Sequence, residues 1–104
     1  ATDCEGCQKE LPILEQLRAE HDDLTVLVFA TDVEGAKVVE PYFRAKPTTL
    51  RVLLDRYRVT TNKYGVSEIP SLFLVDPSGR IVFAETGYRE DLYAALRRLL
   101  DAGR

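Results

Sequence analysis

The chain has 104 residues, enough for one compact domain around one core and too few for two. Hydrophobic residues make up 45% and charged residues 30%, the balance of an ordinary globular protein. With a net charge of -3 and the signs interspersed, no basic patch offers itself to nucleic acid, and no apolar run approaches the ~18 residues of a membrane span.

In chain order, Cys7, Leu11, Leu14 and Leu17 recur at helical spacing with Lys9, Glu15, Gln16 and Arg18 between them, which predicts an amphipathic helix from about Cys4 to Glu20. Pro12 lies inside it and should kink it, because its ring removes one backbone hydrogen bond. The run Leu24–Ala30 is nearly continuous in apolar, β-branched and aromatic residues, the pattern of a strand buried on both faces. A second helix is expected from about Glu34 to Ala45, with Pro41 as another bend. Arg51–Leu54 reads as a short strand, and a weakly helical stretch follows to Tyr64-Gly65. Leu72–Val75 and Arg80–Glu85 read as strands joined by Asp76-Pro77-Ser78-Gly79, a type I turn with proline second and glycine last. Leu92, Tyr93, Leu96, Leu99 and Leu100 mark a closing amphipathic helix. Strands alternating with helices predict a mostly parallel α/β sheet, to which the hairpin adds an antiparallel edge.

Cys4 and Cys7 are the only cysteines, too few for a disulfide-stapled scaffold. A crosslink over three positions closes too small a loop to stabilise much, so the pair makes better sense as chemistry than as a brace. At a helix N-terminus, unpaired backbone N–H groups and the helix dipole favour a thiolate. Cys4, at the outer end of the first turn, is the expected nucleophile. Cys7, one turn further in on the same face, is placed to attack the mixed disulfide and release the product. A lone CxxC also occurs as half of a zinc site, but there is no second CxxC and His21 is the sole histidine. Haem attachment wants a histidine after the second cysteine, where Gln8 stands. Two idle buried cysteines are the remaining bland alternative. No metal and no cofactor is expected. Ile69-Pro70, at the entrance to the Leu72–Val75 strand, is a position that tolerates a missing N–H and often takes a cis bond.

Three stretches resemble the TlpA/ResA-like thiol–disulfide oxidoreductases of the thioredoxin superfamily. They are Ala1-Thr2-Asp3-Cys4-Glu5-Gly6-Cys7-Gln8-Lys9-Glu10-Leu11-Pro12, Lys63-Tyr64-Gly65-Val66, and Ile69-Pro70-Ser71-Leu72-Phe73-Leu74-Val75-Asp76-Pro77-Ser78-Gly79. They occur in the family's order and spacing across nearly the whole chain. The resemblance implies a thioredoxin-like α/β fold in which Cys4 and Cys7 are the redox pair and Pro70 is the cis-proline facing them. The backbone of Ile69 would then pair with substrate in strand-like fashion. Glu10 falls on the acidic position of the family's C-x-x-C-x-x-E-x-P pattern and would influence thiol ionisation; its plainer reading is a solvated helix-face carboxylate. The implied activity is dithiol/disulfide exchange with protein or small-molecule disulfides, fed by an upstream thiol reductant, in an extracytoplasmic compartment.

This sequence departs from the family beside the first cysteine, where Asp3 replaces the usual tryptophan, and inside the motif, where Gly6 replaces a common proline. Asp3 and Glu5 both oppose a thiolate at Cys4, which predicts a reducing couple with a relatively high thiol pKa. His21 is expected to act as a cation at the helix C-terminus, roughly 25 Å of helix rise from Cys4. Tyr64 and Tyr88 are expected to pack rather than to act.

The resemblance also implies a first core strand ahead of Ala1, central in the sheet between Leu24–Ala30 and Leu72–Val75. Without it two apolar edges stand unpaired. Residues 1–104 are therefore expected to be one thioredoxin-like domain shortened at its N-terminus, with any signal or anchor in the part ahead. A complete chain would have to close its sheet differently or borrow a strand from another copy. Two further functions compete with the enzyme: a redox-sensitive thioredoxin-like accessory module without turnover, and copper or zinc handling by the two thiolates.

Overall fold

The computed structural model describes residues 1–103. Eight elements follow one another: α1 (Glu5–Glu20), β1 (Leu27–Ala30), α2 (Ala36–Ala45), β2 (Arg51–Leu54), α3 (Val59–Lys63), β3 (Ser71–Val75), β4 (Ile81–Thr86) and α4 (Leu92–Ala102). Their order and kind are those the sequence predicts. The helix α1 runs through Pro12 as one element, because a long apolar stripe packed on the core outweighs one missing backbone bond.

The strands pair in two separate ribbons. β1 lies parallel to β2, with Leu27 opposite Arg51 and Ala30 opposite Leu54. β3 lies antiparallel to β4 and has a register shift at Leu74/Val75. Their turn is the one expected: the Gly79 N–H donates to the Asp76 carbonyl at 2.9 Å, and the Asp76 carboxylate collects the Ser78 and Arg80 N–H groups. Between the β1 and β3 ribbons runs a groove of about 760 Å³, lined on one side by Val28 and Phe29 and on the other by Leu72 and Phe73. The groove lies between the free edges of β1 and β3.

The groove also corrects the expected burial of the Leu24–Ala30 run. Only its last four residues form strand, and Leu27 and Phe29 are 44% and 38% exposed. The apolar run is of the kind that a sheet covers on both faces, but among the described residues no strand pairs with its free edge.

The core lies where α1 meets α4. Leu14 and Leu17 pack with Leu50, Leu92 and Leu96, and Leu72, Leu74 and Phe83 close the cluster from the hairpin. Full burial of a leucine side chain contributes roughly 1.5–3 kcal/mol, so this cluster fixes α1 against the rest of the chain. Two polar links lock the far end of α1 to α4. The Tyr93 hydroxyl donates to Glu20 at 2.6 Å, and His21, buried as the residue that ends α1, bonds the Leu17 carbonyl through Nδ1 and Asp101 through Nε2. His21 thus ends the helix as expected, and it also ties α1 to α4.

Candidate active site

The first turn of α1 is built around Cys4. Cys4 is extended (φ -96°, ψ 111°) and caps the helix, and its sulfur accepts the Cys7 N–H at 3.1 Å. Sulfur here does what a serine or aspartate oxygen does at an ordinary N-cap. Cys4 and Cys7 are joined as a disulfide with their Cα atoms 5.2 Å apart, a distance that one helical turn supplies. Both residues are half-buried. Cys7 lines the groove, whereas Cys4 is outside its lining, at the outer end of the turn.

The arm before Cys4 is held from two sides. The Asp32 carboxylate, just past the end of β1, accepts the Thr2 N–H through both oxygens and the Thr2 hydroxyl at 2.7 Å. The Gln8 side chain donates to the Thr2 carbonyl at 2.8 Å. Loop, arm and first turn therefore move as one piece, so the cysteines sit on a fixed support.

Facing them is Pro70, and the Ile69–Pro70 peptide bond is cis, as the resemblance implied. The approach is close. A methyl group at Gly6 would stand 3.0 Å from Cδ and 3.3 Å from Cγ of Pro70, and 3.4 Å from Cβ of Tyr88. A side chain at this position would therefore need the Pro70 turn to give by a few tenths of an ångström. Ile69 is exposed beside the proline. The Pro70 carbonyl accepts the Gly87 N–H at 2.7 Å, which ties the loop after β4 to the proline turn.

Glu10 stands one turn beyond Cys7 on the same side of α1 and is only 6% exposed, opening onto the groove. Burial pushes its carboxyl up to about 7. It is therefore not the solvated helix-face carboxylate of the plainer reading. Its proton is exchangeable near neutral pH, one helical turn from the Cys7 sulfur.

The sequence reading placed Cys4, Cys7, Glu10, Ile69 and Pro70 in one site; Cys7, Glu10, Ile69 and Pro70 line one groove, and Cys4 is joined to Cys7 at its rim without lining it. Tyr88, expected to pack, lies outside the core cluster, with its Cβ against Gly6 in the first turn of α1. An aromatic residue two positions past a strand carries no sequence signal of such a contact. Tyr64 does pack as expected, its ring 5.0 Å from that of Phe73.

A vicinal cysteine pair at a helix N-terminus, opposed by a cis-proline that opens a strand, defines a thioredoxin-like protein. The family model described as AhpC/TSA matches residues 1–84, and the chain belongs to that family. ResA of Bacillus subtilis (strain 168), a thiol-disulfide oxidoreductase, is 31% identical over 85 residues, 81% of this chain and 48% of its own. ResA of Geobacillus thermodenitrificans (strain NG80-2) is 29% identical over 92 residues, 86% of this chain and 53% of its own. The chain thus spans about half the length of the curated relatives it matches. Among solved structures, a chain assigned as the thiol:disulfide interchange protein DsbE from Chlorobium tepidum superposes with a TM-score of 0.90 at 23% identity, over 98% of this chain and 73% of that one. StoA from Bacillus subtilis gives 0.75 at 24% identity, over 89% and 74%. At these identities the two structures establish the fold. Among the described residues no helix is long and apolar enough to cross a membrane.

Proposed function

We propose that this protein is a thiol–disulfide oxidoreductase that reduces protein disulfides through Cys4 and Cys7. The observation that carries the reading is the Cys4–Cys7 disulfide on the first turn of α1 with cis Pro70 against it. In the reduced enzyme the Cys4 thiolate attacks one sulfur of a substrate disulfide, forms a mixed disulfide and releases the other sulfur as a thiolate. Cys7 then loses its proton and attacks Cys4, which frees the second substrate thiol and closes the Cys4–Cys7 disulfide. Two electrons pass to the substrate, and an upstream thiol reductant restores the dithiol.

The outer position of Cys4 supports its role as the attacking group. Glu10 is suited to take the proton from Cys7, since a carboxyl with a pKa of about 7 both accepts and returns a proton at neutral pH. Exposed Ile69 offers its backbone to an extended substrate segment. The Cys7 N–H and the helix N-terminus favour a Cys4 thiolate, while the acidic residues that flank it in the chain, Asp3 and Glu5, oppose it, which supports a reducing couple. The named activity of the ResA relatives agrees with thiol–disulfide exchange, and the resemblance to them supports an extracytoplasmic setting.

The test is glutathione-coupled insulin reduction by the wild type and by Cys4→Ser. The reading predicts turnover that the substitution abolishes. If folded wild type and Cys4→Ser are equally inactive, the protein is instead an accessory module whose cysteines do not turn over.

A further inference from the structure

His21 is the sole histidine of the chain, only 3% exposed, and its ring is held at both nitrogens. Nδ1 lies 2.9 Å from the Leu17 carbonyl on α1, and Nε2 lies 3.0 Å from Oδ1 of Asp101 on α4. A carbonyl and a carboxylate only accept, so both ring nitrogens must donate, and only the imidazolium carries two N–H groups. Either neutral tautomer would set a lone pair against an oxygen in a buried contact. Asp101 is placed to be the charged partner, because Arg97 reaches its other oxygen, Oδ2, at 3.4 Å. The shared proton therefore rests on the ring. The setting favours a cation as well. His21 follows the last turn of α1, the negative end of the helix dipole, and Glu20, Asp22 and Asp23 flank it in the chain. Glu20 is itself bonded by the Tyr93 hydroxyl from α4. Arg18, the opposing charge on α1, reaches the His21 carbonyl rather than the ring. That carbonyl also accepts the Leu24 N–H at 3.1 Å, which fixes the backbone that carries the ring.

We propose that His21 is held as an imidazolium at neutral pH and acts as a proton-dependent clasp between the end of α1 and the last turn of α4. The inference stands apart from the exchange chemistry and places a conformational device at the other end of the helix that bears the cysteines. With the proton in place, the ring bridges Leu17 and Asp101 and keeps the last turn of α4 seated. That turn carries Leu99 and Leu100, which line the groove together with His21. When alkaline pH removes the proton from Nε2, a lone pair faces the Asp101 carboxylate. The bond from Nδ1 to Leu17 persists, so α1 keeps its end while α4 loses its hold there. Leu92 and Leu96 in the core and the Tyr93–Glu20 bond secure the earlier turns of α4, which confines the loosening to Leu99–Ala102.

The test uses the full oxidised chain, in which a single histidine makes the ring signals unambiguous in long-range 1H–15N NMR spectra. At a pH about one unit above the ordinary histidine value of roughly 6.5, both ring nitrogens of the wild type should still carry protons. A neutral ring at that pH overturns the inference. In Asp101→Asn the side-chain amide can donate to Nε2, so the ring should be neutral there with its proton on Nδ1. A ring that stays doubly protonated in Asp101→Asn also overturns it. Hydrogen exchange reads the clasp itself. As the wild-type ring titrates at alkaline pH, protection of the Leu99–Ala102 amides should fall about tenfold, the loss expected for one charge-assisted bond, with no such step in Asp101→Asn. Wild-type titration without that loss overturns the clasp. Neither readout involves turnover, so failure here leaves the oxidoreductase reading standing, and an inactive enzyme leaves the clasp standing.

Discussion

Replacing Glu10 with glutamine should make the protein more stable at alkaline pH and change how its stability responds to pH. Burial raises the carboxyl from its ordinary 4.5 to about 7, so the folded chain holds this proton more tightly than the unfolded chain does. The stabilisation from that proton is fully present below pH 4.5 and is lost as pH rises through 7. At about 1.36 kcal/mol per pKa unit, wild type loses roughly 2 to 3 kcal/mol between pH 5 and pH 8 from this group. A neutral glutamine of the same shape loses none of it. For a domain of this size that difference corresponds to a Tm gap opening by about 10 °C or more across the interval. The assay is urea denaturation of the oxidised proteins at several pH values, with the pH dependence of Glu10→Gln subtracted from that of wild type. Parallel pH profiles for the two proteins would refute the reasoning, since Glu10 would then titrate as an ordinary surface carboxylate. The same substitution removes the proposed proton acceptor for Cys7, so the neutral-pH inflection in turnover should disappear with it.

Gly6→Ala places a methyl group 3.0 Å from Pro70 Cδ, and a proline ring cannot swing aside as a flexible side chain can. Alanine normally favours a helix over glycine, but overpacking costs about 1–3 kcal/mol, so Gly6→Ala should lower the urea midpoint rather than raise it. An equal or higher midpoint would show that the Pro70 turn yields freely. The groove between β1 and β3 should bind the dye ANS in a protein of residues 1–104. Fusing an extended, strand-forming segment ahead of Ala1, so that it runs parallel to β1, should suppress that binding. Because Thr2 is bonded to Asp32 just beyond β1, Ala1 lies at the correct end of the groove for that direction. Undiminished ANS fluorescence in a folded fusion would count against a single domain completed by a strand at its N-terminus.

The elements were legible because their signals are local. Arg51–Leu54 is a strand with the bounds its apolar run predicts, and the Asp76–Gly79 turn follows from proline second and glycine last. The redox pair was legible for the same reason: three-residue spacing at a helix start is a property of one turn. What was hidden depends on distant partners. The Leu24–Ala30 run reads as doubly buried, and only the empty edge of β1 explains why Leu27 and Phe29 are exposed. Glu10 looks like any polar residue on a helix until the groove beside it fixes its burial. His21 reads as an end-of-helix charge, and its bond to Asp101 on α4 emerges only when α1 and α4 meet. Tyr88 approaches Gly6 through a loop set by Gly87 and Pro70, a contact that no spacing in the sequence encodes.

The central claim is that Cys4 attacks a disulfide and Cys7 resolves the product. It is tested most directly by the intact mass of Cys7→Ser after brief exposure to oxidised insulin. Without a resolving thiol the mixed disulfide should accumulate, adding the mass of a whole insulin molecule at Cys4, while Cys4→Ser treated identically should trap far less. Cys7→Ser that recovers its unmodified mass, or equal trapping by the two variants, would contradict the account.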